Sequence, residues 1–207
     1  MEGAPSIKEI KVKVKSTIYI KFFKPVIDIV TALITLIVSS PIFVLIFLAI
    51  KLDSKGPAIF RQPRIGYKGE KFTIFKFRTM YTVAPSQGKS PTSSFDPRIT
   101  RVGRFLRKTS LDELPQLFNI LLGQMSFIGP RPEQELIVKE YYGEYESQRF
   151  LVKPGITGLW QISEHRTQPI HDHLEHDFVY INNVCFTTDM RVILGTVQVM
   201  LIKSNTH

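Results

Sequence analysis

The 207-residue sequence contains a single cysteine, Cys185, and a single tryptophan, Trp160. One thiol excludes an internal disulfide and fits a reducing compartment. It also excludes a zinc site built on paired cysteines. No segment repeats, which excludes a solenoid or propeller. Acidic residues are scarce in the first half. Residues 1–108 hold 6 of the 18 Asp and Glu but 20 of the 27 Lys and Arg, a balance of +14, whereas residues 109–207 balance at −5. The basic half also carries the apolar run, and basic residues beside apolar sequence point to anionic lipid rather than nucleic acid. The length suffices for one domain with a real core.

What is present begins with a basic arm over residues 1–20, where Lys8, Lys11, Lys13 and Lys15 alternate with apolar residues. A short strand and a disordered tail both fit it. Val26 to Ile50 is then apolar for 25 residues, broken mainly by Asp28 and Ser39-Ser40-Pro41. That is long enough to span a bilayer. A signal peptide does not fit, because the run is too long, contains Asp28 and lacks a small-residue cleavage site. Lys21 and Lys24 flank the run on one side, and Lys51, Lys55, Arg61 and Arg64 on the other. Positive charge marks the cytoplasmic side of a membrane segment, and here both ends carry it. Pro41 breaks a helical hydrogen bond, and Ser39 and Ser40 can satisfy the freed carbonyls. The favoured reading is a helix that enters the bilayer, turns at Ser40-Pro41 and leaves on the same face. A proline-kinked straight span is the alternative.

Ala58 to Met80 reads as a β-hairpin turning at Gly66-Tyr67-Lys68-Gly69, with Lys76 and Arg78 on one face of its second strand. Two cations so placed suit a diphosphate clamp, or simply a solvated face. Pro85 to Ser94 reads as a flexible loop.

The stretch Lys108 to Pro132, KTSLDELPQLFNILLGQMSFIGPRP, carries the chemistry. Asp112 and Glu113 stand where Leu114, Leu117, Phe118, Leu121 and Leu122 predict an amphipathic helix ending at Gly123. A first-turn position would put both carboxylates at the positive end of that helix, a setting that keeps carboxylates ionised and attracts phosphate. The same residues also fit a capping box from Ser110 to Glu113, so a purely structural reading stands beside the chemical one. Their company favours chemistry. Arg101, Arg104, Arg107 and Lys108 precede the pair, and Gly129-Pro130-Arg131-Pro132 follows it. Carboxylates ringed by cations suggest a phosphate site, with a divalent metal as a natural companion.

Further on, Glu133 to Phe150 reads as helical, with Tyr141, Tyr142 and Tyr145 available for packing. Lys153 to Gln161 (KPGITGLWQ) is a glycine- and proline-punctuated loop of the kind that lines sites. His171-Asp172-His173-Leu174-Glu175-His176 is similar to the HxHxDH ligand run of metallo-β-lactamase-type hydrolases. Glu175 replaces the aspartate, however, and the remaining ligands are missing. A solvated helix face is the better reading; a zinc hydrolase would need His171, His173 and His176 together. Met190 to Ile202 is apolar but too short to span. With Thr188 or Asp189 as cap, it is expected to lie in a membrane interface or in the core.

Taken together these segments resemble the bacterial sugar transferase family, the monotopic phosphoglycosyl transferases. The matching words are SSP at Ser39 to Pro41, GPAIFRQPRIGYKG at Gly56 to Gly69 and KFRTM at Lys76 to Met80. DPRITRVGRFLRKTSLDELPQL, GPRP and KPGITGLWQ follow, then Asp177 with Tyr180, and Asp189. The similarity runs from about Lys21 to Lys203. It implies an α+β, mainly helical, membrane-monotopic fold with a re-entrant N-terminal helix-break-helix, a small β-hairpin and amphipathic interfacial helices. The expected organisation is a basic arm over 1–20, a re-entrant membrane helix over 21–51 with its break at Ser40-Pro41, and a cytoplasmic catalytic domain over 52–207. The expectation is the small single-domain type, without the additional N-terminal membrane domains of larger members.

The resemblance also implies an activity. A sugar 1-phosphate passes from a UDP-sugar to polyprenyl (undecaprenyl) phosphate with Mg²⁺, as the first membrane step of exopolysaccharide, lipopolysaccharide or glycoconjugate assembly. Asp112 is then the nucleophile, forming a sugar-phosphoryl aspartate and releasing UMP, and Glu113 helps hold the metal or handle the acceptor. Lys76, Arg78, Arg107 and Arg131 are the expected phosphate-binding cations. The expected partners are the UDP-sugar, the polyprenyl phosphate and the inner leaflet of the bacterial cytoplasmic membrane. Nucleic acid is not among them, and homodimerisation is left open. One departure stands out. After Gln161 the family usually has a small residue and then Gly-Arg, where this chain has Ser163-Glu164-His165 before Arg166. That leaves the role of Glu164-His165-Arg166 and the identity of the sugar open. The rival of another class is a non-catalytic scaffold that grips anionic lipid, in which the carboxylates only cap a helix.

Overall fold

An unbroken 30-residue helix, α1 (Lys24–Asp53), follows a π-helical turn over Tyr19–Phe23. The computed structural model describes residues 12–83 and 96–205. Lys8, Lys11, the Pro85–Ser94 loop and His207 therefore lie outside the described residues. Among those described, the stretch Tyr19–Asp53 is the one helix long and apolar enough to cross a membrane. Most of its large apolar side chains are exposed, Val38 by 73% and Leu45 by 66%. An exposed apolar surface of this extent marks a site of contact with a membrane or another protein.

The interruption expected at Ser40-Pro41 is a proline inside a continuous helix, not a gap between two helices. Pro41 cannot donate to the carbonyl of Ile37, and the Ser40 hydroxyl donates to that oxygen instead at 2.8 Å. Ser39 donates to Thr35 O at 2.6 Å. The orphaned carbonyl thus finds a partner without water.

The hairpin forms as expected, from β1 (Ile59–Ile65) and β2 (Lys71–Phe77), paired antiparallel from Ile59 opposite Phe77 to Ile65 opposite Lys71. β4 (Glu133–Gln134) adds to the other side of β1, giving the order β2-β1-β4. A second, two-stranded parallel sheet joins β3 (Ser126–Ile128) to β5 (Gly155–Thr157). Between these lie α2 (Arg101–Thr109) and the short α3 (Gln116–Leu121). α4 (Glu135–Tyr141), α5 (Leu159–Ile162), α6 (Glu175–Asn182) and α7 (Phe186–Asn205) complete the chain. The helix expected over Glu133 to Phe150 stops at Tyr141, and a 3₁₀ turn over Glu146–Leu151 follows. α7 begins four residues before Met190, and Asp189 lies inside its first turn rather than capping it.

α1 supplies walls to two cores. Its Ala32 packs with Phe72, Ile74, Leu117, Ile120 and Met125, and its Ile46 and Ile50 pack with Ala58, Phe77 and Leu106. A fully buried Ile or Phe of this kind contributes about 1.5–3 kcal/mol. Both ends of α1 are also tied to the globular part. Asp28 Oδ1 accepts from Phe127 N–H at 3.2 Å, and Asp53 Oδ2 from Val102 N–H at 3.1 Å. Asp189 of α7, almost wholly buried, accepts from Lys24 at 2.7 Å, Tyr19 at 2.6 Å and Tyr180 at 2.8 Å. The described part of the N-terminal arm forms no strand. Val12 and Val14 pack against the α6 cluster, and Lys13 N–H donates to Asn182 Oδ1 at 2.7 Å.

Candidate active site

Asp112 and Glu113 do not open a helix. They occupy a 3₁₀ turn, Leu111–Glu113, between α2 and α3. The capping box does not form: Ser110 takes the left-handed conformation (φ 58°) as the end of α2, and its side chain caps nothing. The amides that a helix start would leave open are already used, since Glu113 and Leu114 donate to Ser110 O and Leu111 O. The charge state of the pair therefore depends on neighbouring side chains.

Three elements deliver those side chains. α2 packs directly on the chain after β2, because Gly103 lies so close to Thr79 that a Cβ there would sit 2.1 Å from Thr79 O. Thr100 caps the helix by accepting from Gly103 N–H at 2.9 Å. Arg107, in the last turn, donates to Thr79 Oγ1 at 3.0 Å. α3 is fixed to the free edge of β2 by Asn119, which is fully buried. Its amide donates to Thr73 O at 2.7 Å and accepts from Phe75 N–H at 3.1 Å, so it stands in for a missing strand residue. This brings Lys76 against Glu113, with Nζ donating to Glu113 Oε1 at 2.7 Å.

The third element is the Gly129–Pro132 turn, whose Arg131 donates to the same Glu113 oxygen at 3.1 Å. Two other arginines hold its backbone. Arg64 donates to Pro132 O at 3.0 Å, and Arg149 donates to Arg131 O at 2.8 Å. Arg149 is 1% exposed and sits between Asp177 at 2.7 Å, Glu133 at 4.0 Å and the Tyr142 hydroxyl at 2.7 Å. The turn also meets the Lys153–Gln161 loop backbone to backbone. Gly129 N–H donates to Thr157 O and Gly155 N–H to Pro130 O, both at 2.9 Å. A Cβ on Gly155 would lie 2.1 Å from Gly129 N, so the glycines are what permit the approach.

Burial pushes the Asp112 carboxyl up; Lys76 opposes this, Glu113 adds to it, and Arg107 and Arg131 oppose it in turn. Glu113 goes the other way. Burial would raise it, but Lys76 and Arg131 outweigh that and hold it down to about 2. Side by side, one carboxylate is locked in ion pairs and the other is not. No described residue hydrogen-bonds to either oxygen of Asp112 or to Glu113 Oε2. That leaves three carboxylate oxygens open to an oxygen-liganded divalent ion, while the neighbouring cations suit phosphate.

Of the expected site residues, Asp112, Glu113, Lys76, Arg107 and Arg131 come together. Arg78 does not: it is buried at the end of α1, donating to Ser54 O at 2.7 Å and Ser54 Oγ at 2.8 Å. The side chains of Arg101, Arg104 and Lys108 lie on the exposed side of α2. Sequence reasoning passed over Asn119, Arg149 and Glu133. A polar residue in an apolar helical stripe was the signal for Asn119; Arg149 carried none. The histidine run is not a solvated face either. His171 stacks on Tyr141 (centroids 4.3 Å apart), while His173 and His176 turn inward to His165.

Residues 19–203 match the family model described as bacterial sugar transferase. The chain is 41% identical over 182 residues to the UDP-glucose:undecaprenyl-phosphate glucose-1-phosphate transferase of Klebsiella pneumoniae, a match covering 84% of this chain and 39% of that protein. It is 39% identical over 185 residues to the UDP-N-acetylgalactosamine-undecaprenyl-phosphate N-acetylgalactosaminephosphotransferase of Aeromonas hydrophila, covering 87% and 44%. To the exopolysaccharide production protein PSS of Rhizobium leguminosarum bv. phaseoli it is 39% identical over 186 residues, covering 84% and 92%. The chain thus spans less than half the length of the first two relatives and nearly the whole of the third.

Proposed function

The chain belongs to the bacterial sugar transferase family, and from that premise we propose that it moves a sugar 1-phosphate from a UDP-sugar to polyprenyl phosphate. The observation that carries this reading is the asymmetry of the carboxylate pair. Asp112 has no hydrogen-bond partner among the described residues and faces Lys76, Arg107 and Arg131, whereas Glu113 is held by two of those cations. An uncommitted carboxylate in a cationic pocket can attack phosphorus without first breaking an ion pair.

In the first displacement an Asp112 oxygen bonds to the sugar-bearing phosphorus, the bond to the bridging oxygen breaks, and UMP leaves with that oxygen. In the second, a phosphate oxygen of the polyprenyl acceptor attacks the same phosphorus and the aspartyl bond breaks, giving polyprenyl-diphosphate-sugar and the free carboxylate. Lys76, Arg107 and Arg131 offset the charge on the phosphoryl oxygens in both steps. Mg²⁺ fits the free oxygens of Asp112 and Glu113 and would neutralise phosphate charge there. Separate displacements mean that donor and acceptor need not be bound together. The step would begin the assembly of a surface polysaccharide or glycoconjugate.

The reading extends to topology. Both ends of α1 bond to the same globular part, through Asp28 to Phe127 and Asp53 to Val102. A straight span would carry one end across the bilayer and away from its partner. We therefore propose that α1 is re-entrant, bending at Ser40-Pro41, with the catalytic part on the cytoplasmic face of the inner membrane. The exposed apolar side of α7 (Leu194, Val197, Leu201) would rest on the same leaflet.

The test is UMP release from a panel of UDP-sugars with polyprenyl phosphate and Mg²⁺, using wild type and Asp112→Asn. Donor labelled in the sugar-bearing phosphate should mark the wild-type protein and not the variant. UMP release by Asp112→Asn at the wild-type rate would remove Asp112 from the mechanism.

A further inference from the structure

Between Ser163 and His176, three imidazoles converge. His165 lies in the 3₁₀ turn Glu164–Thr167, which Ser163 caps by accepting from His165 N–H at 3.2 Å. Glu175 and His176 come from the first turn of α6, ten and eleven positions on. His165 Nδ1 stands 3.0 Å from His176 Nε2, and Glu175 Oε1 is 3.8 Å from the same His176 nitrogen. One ligand atom from each of the three lies within 4.8 Å of the other two. Donor atoms on a tetrahedral zinc, at 2.0–2.1 Å from the metal, are separated by about 3.3 Å. Two of the three separations, 3.0 and 3.8 Å, are therefore already close to that edge length.

The surroundings orient these ligands. His173 stacks on His165, with centroids 4.0 Å apart and planes 7° from parallel. Its Nδ1 lies 3.3 Å from Glu175 Oε1, and its Nε2 bonds to Gln168 Oε1. A supporting imidazole on a ligating carboxylate is how metal sites fix their ligands. The side chains of His165 and His176 are 29% and 24% exposed, so an ion can reach them.

We propose that His165, Glu175 and His176 form a site for a divalent transition metal of the zinc class, oriented by His173 and closed by water in the fourth position. The ion would pin the Glu164–Thr167 turn to α6. None of these residues belongs to the group around Asp112, so the site is separate from the Mg²⁺ proposed there and does not depend on that reading.

The experiment titrates Zn²⁺ into the purified full chain in detergent, against a chromophoric chelator and with excess Mg²⁺ present. Co²⁺ binding is followed in parallel by its visible absorption. One tight equivalent is expected in wild type, in His171→Gln and in Asp112→Asn. His165→Gln and His176→Gln should each weaken binding by tenfold or more, and lose both the tetrahedral Co²⁺ bands and the zinc-induced rise in Tm. Glu175→Gln serves as a further variant should either histidine variant fail to fold. Failure of wild type to compete for Zn²⁺ would overturn the proposal. So would equal affinity in the ligand variants, or loss of the tight equivalent in Asp112→Asn alone.

Discussion

Glu113 and Lys76 meet at 2.7 Å across 37 positions of sequence, and Glu113 offers the same oxygen to Arg131. Glu113 thus fixes two cations in place beside Asp112. Glu113→Gln keeps the shape but weakens both charge-assisted bonds. Turnover is expected to fall by about 10²-fold, within the range for loss of a preorganised electrostatic contact. Steady-state UMP release at matched expression checks this, and wild-type turnover would show that the two cations hold position without it.

Asp112→Asn should be inactive yet at least as stable as wild type. Its ionised carboxyl is disfavoured by burial and by Glu113, so an amide relieves a local cost. The variant's Tm is therefore expected to match or exceed that of wild type. A thermal melt in detergent reads it, and a clear fall in Tm would mean that the carboxylate stabilises the fold.

The two carboxylates respond to pH with opposite sign. Glu113, held down to about 2, lends stability that is complete above its ordinary value of 4.5 and is lost as pH falls toward 2. Asp112 is raised, so protonating it as pH falls relieves destabilisation. The acid limb of kcat/KM should therefore follow Asp112, with a midpoint above the ordinary 3.8. In Glu113→Gln that limb should move to lower pH, because a like charge has gone and Lys76 and Arg131 are released toward Asp112. An unmoved limb would assign it to another group.

How far the site could be read from sequence depended on the range of each contact. The hairpin, the Gly123 helix stop and the cation set around Asp112 follow from local pattern. Asn119 and Arg149 do not, because each depends in part on distant partners, Asn119 on Thr73 and Phe75, 46 and 44 positions away, and Arg149 on Asp177. The capping box failed for a local reason: Ser110 in the left-handed region cannot cap the turn that follows. Arg78 stands apart from the group around Asp112 because β2 ends at Phe77 and its guanidinium bonds Ser54.

Asn119→Ala removes buried bonds to Thr73 O, Phe75 N–H and Gln124 Oε1. Leaving the strand edge unpaired should cost about 2–4 kcal/mol. Activity should fall beyond what the lost stability explains, since α3 would no longer hold Glu113 against Lys76. Measuring UMP release well below the variant's Tm separates the two effects.

Arg149→Met strands Asp177 and should cost about 3–5 kcal/mol. The double variant Arg149→Met/Asp177→Leu should recover much of that stability. It should not recover turnover, because the carbonyl of Arg131 still lacks its clamp. Full activity in the double variant would make the network purely structural.

For α1, single cysteines at Lys15 and Lys139 in a Cys185→Ser background should both resist an impermeant thiol reagent added to intact cells. Both should react once the membrane is opened. Pro41→Leu restores a helical bond but must break the Lys24–Asp189 pair to straighten across the bilayer. At most a partial inversion of the Lys15 site is expected. Labelling of Lys15→Cys from outside in the otherwise unaltered segment would leave an ordinary span.

Because Ala32, Ile46 and Ile50 are walls of the two cores, α1 cannot be trimmed away like a tether. A fragment beginning after Asp53 would leave Phe72, Ile74, Phe77 and Leu106 facing water on one side, and would aggregate rather than dissolve. Maturation of the globular part must then wait for the apolar helix to reach its place. Until α1 is seated, the pocket around Asp112 has no finished frame.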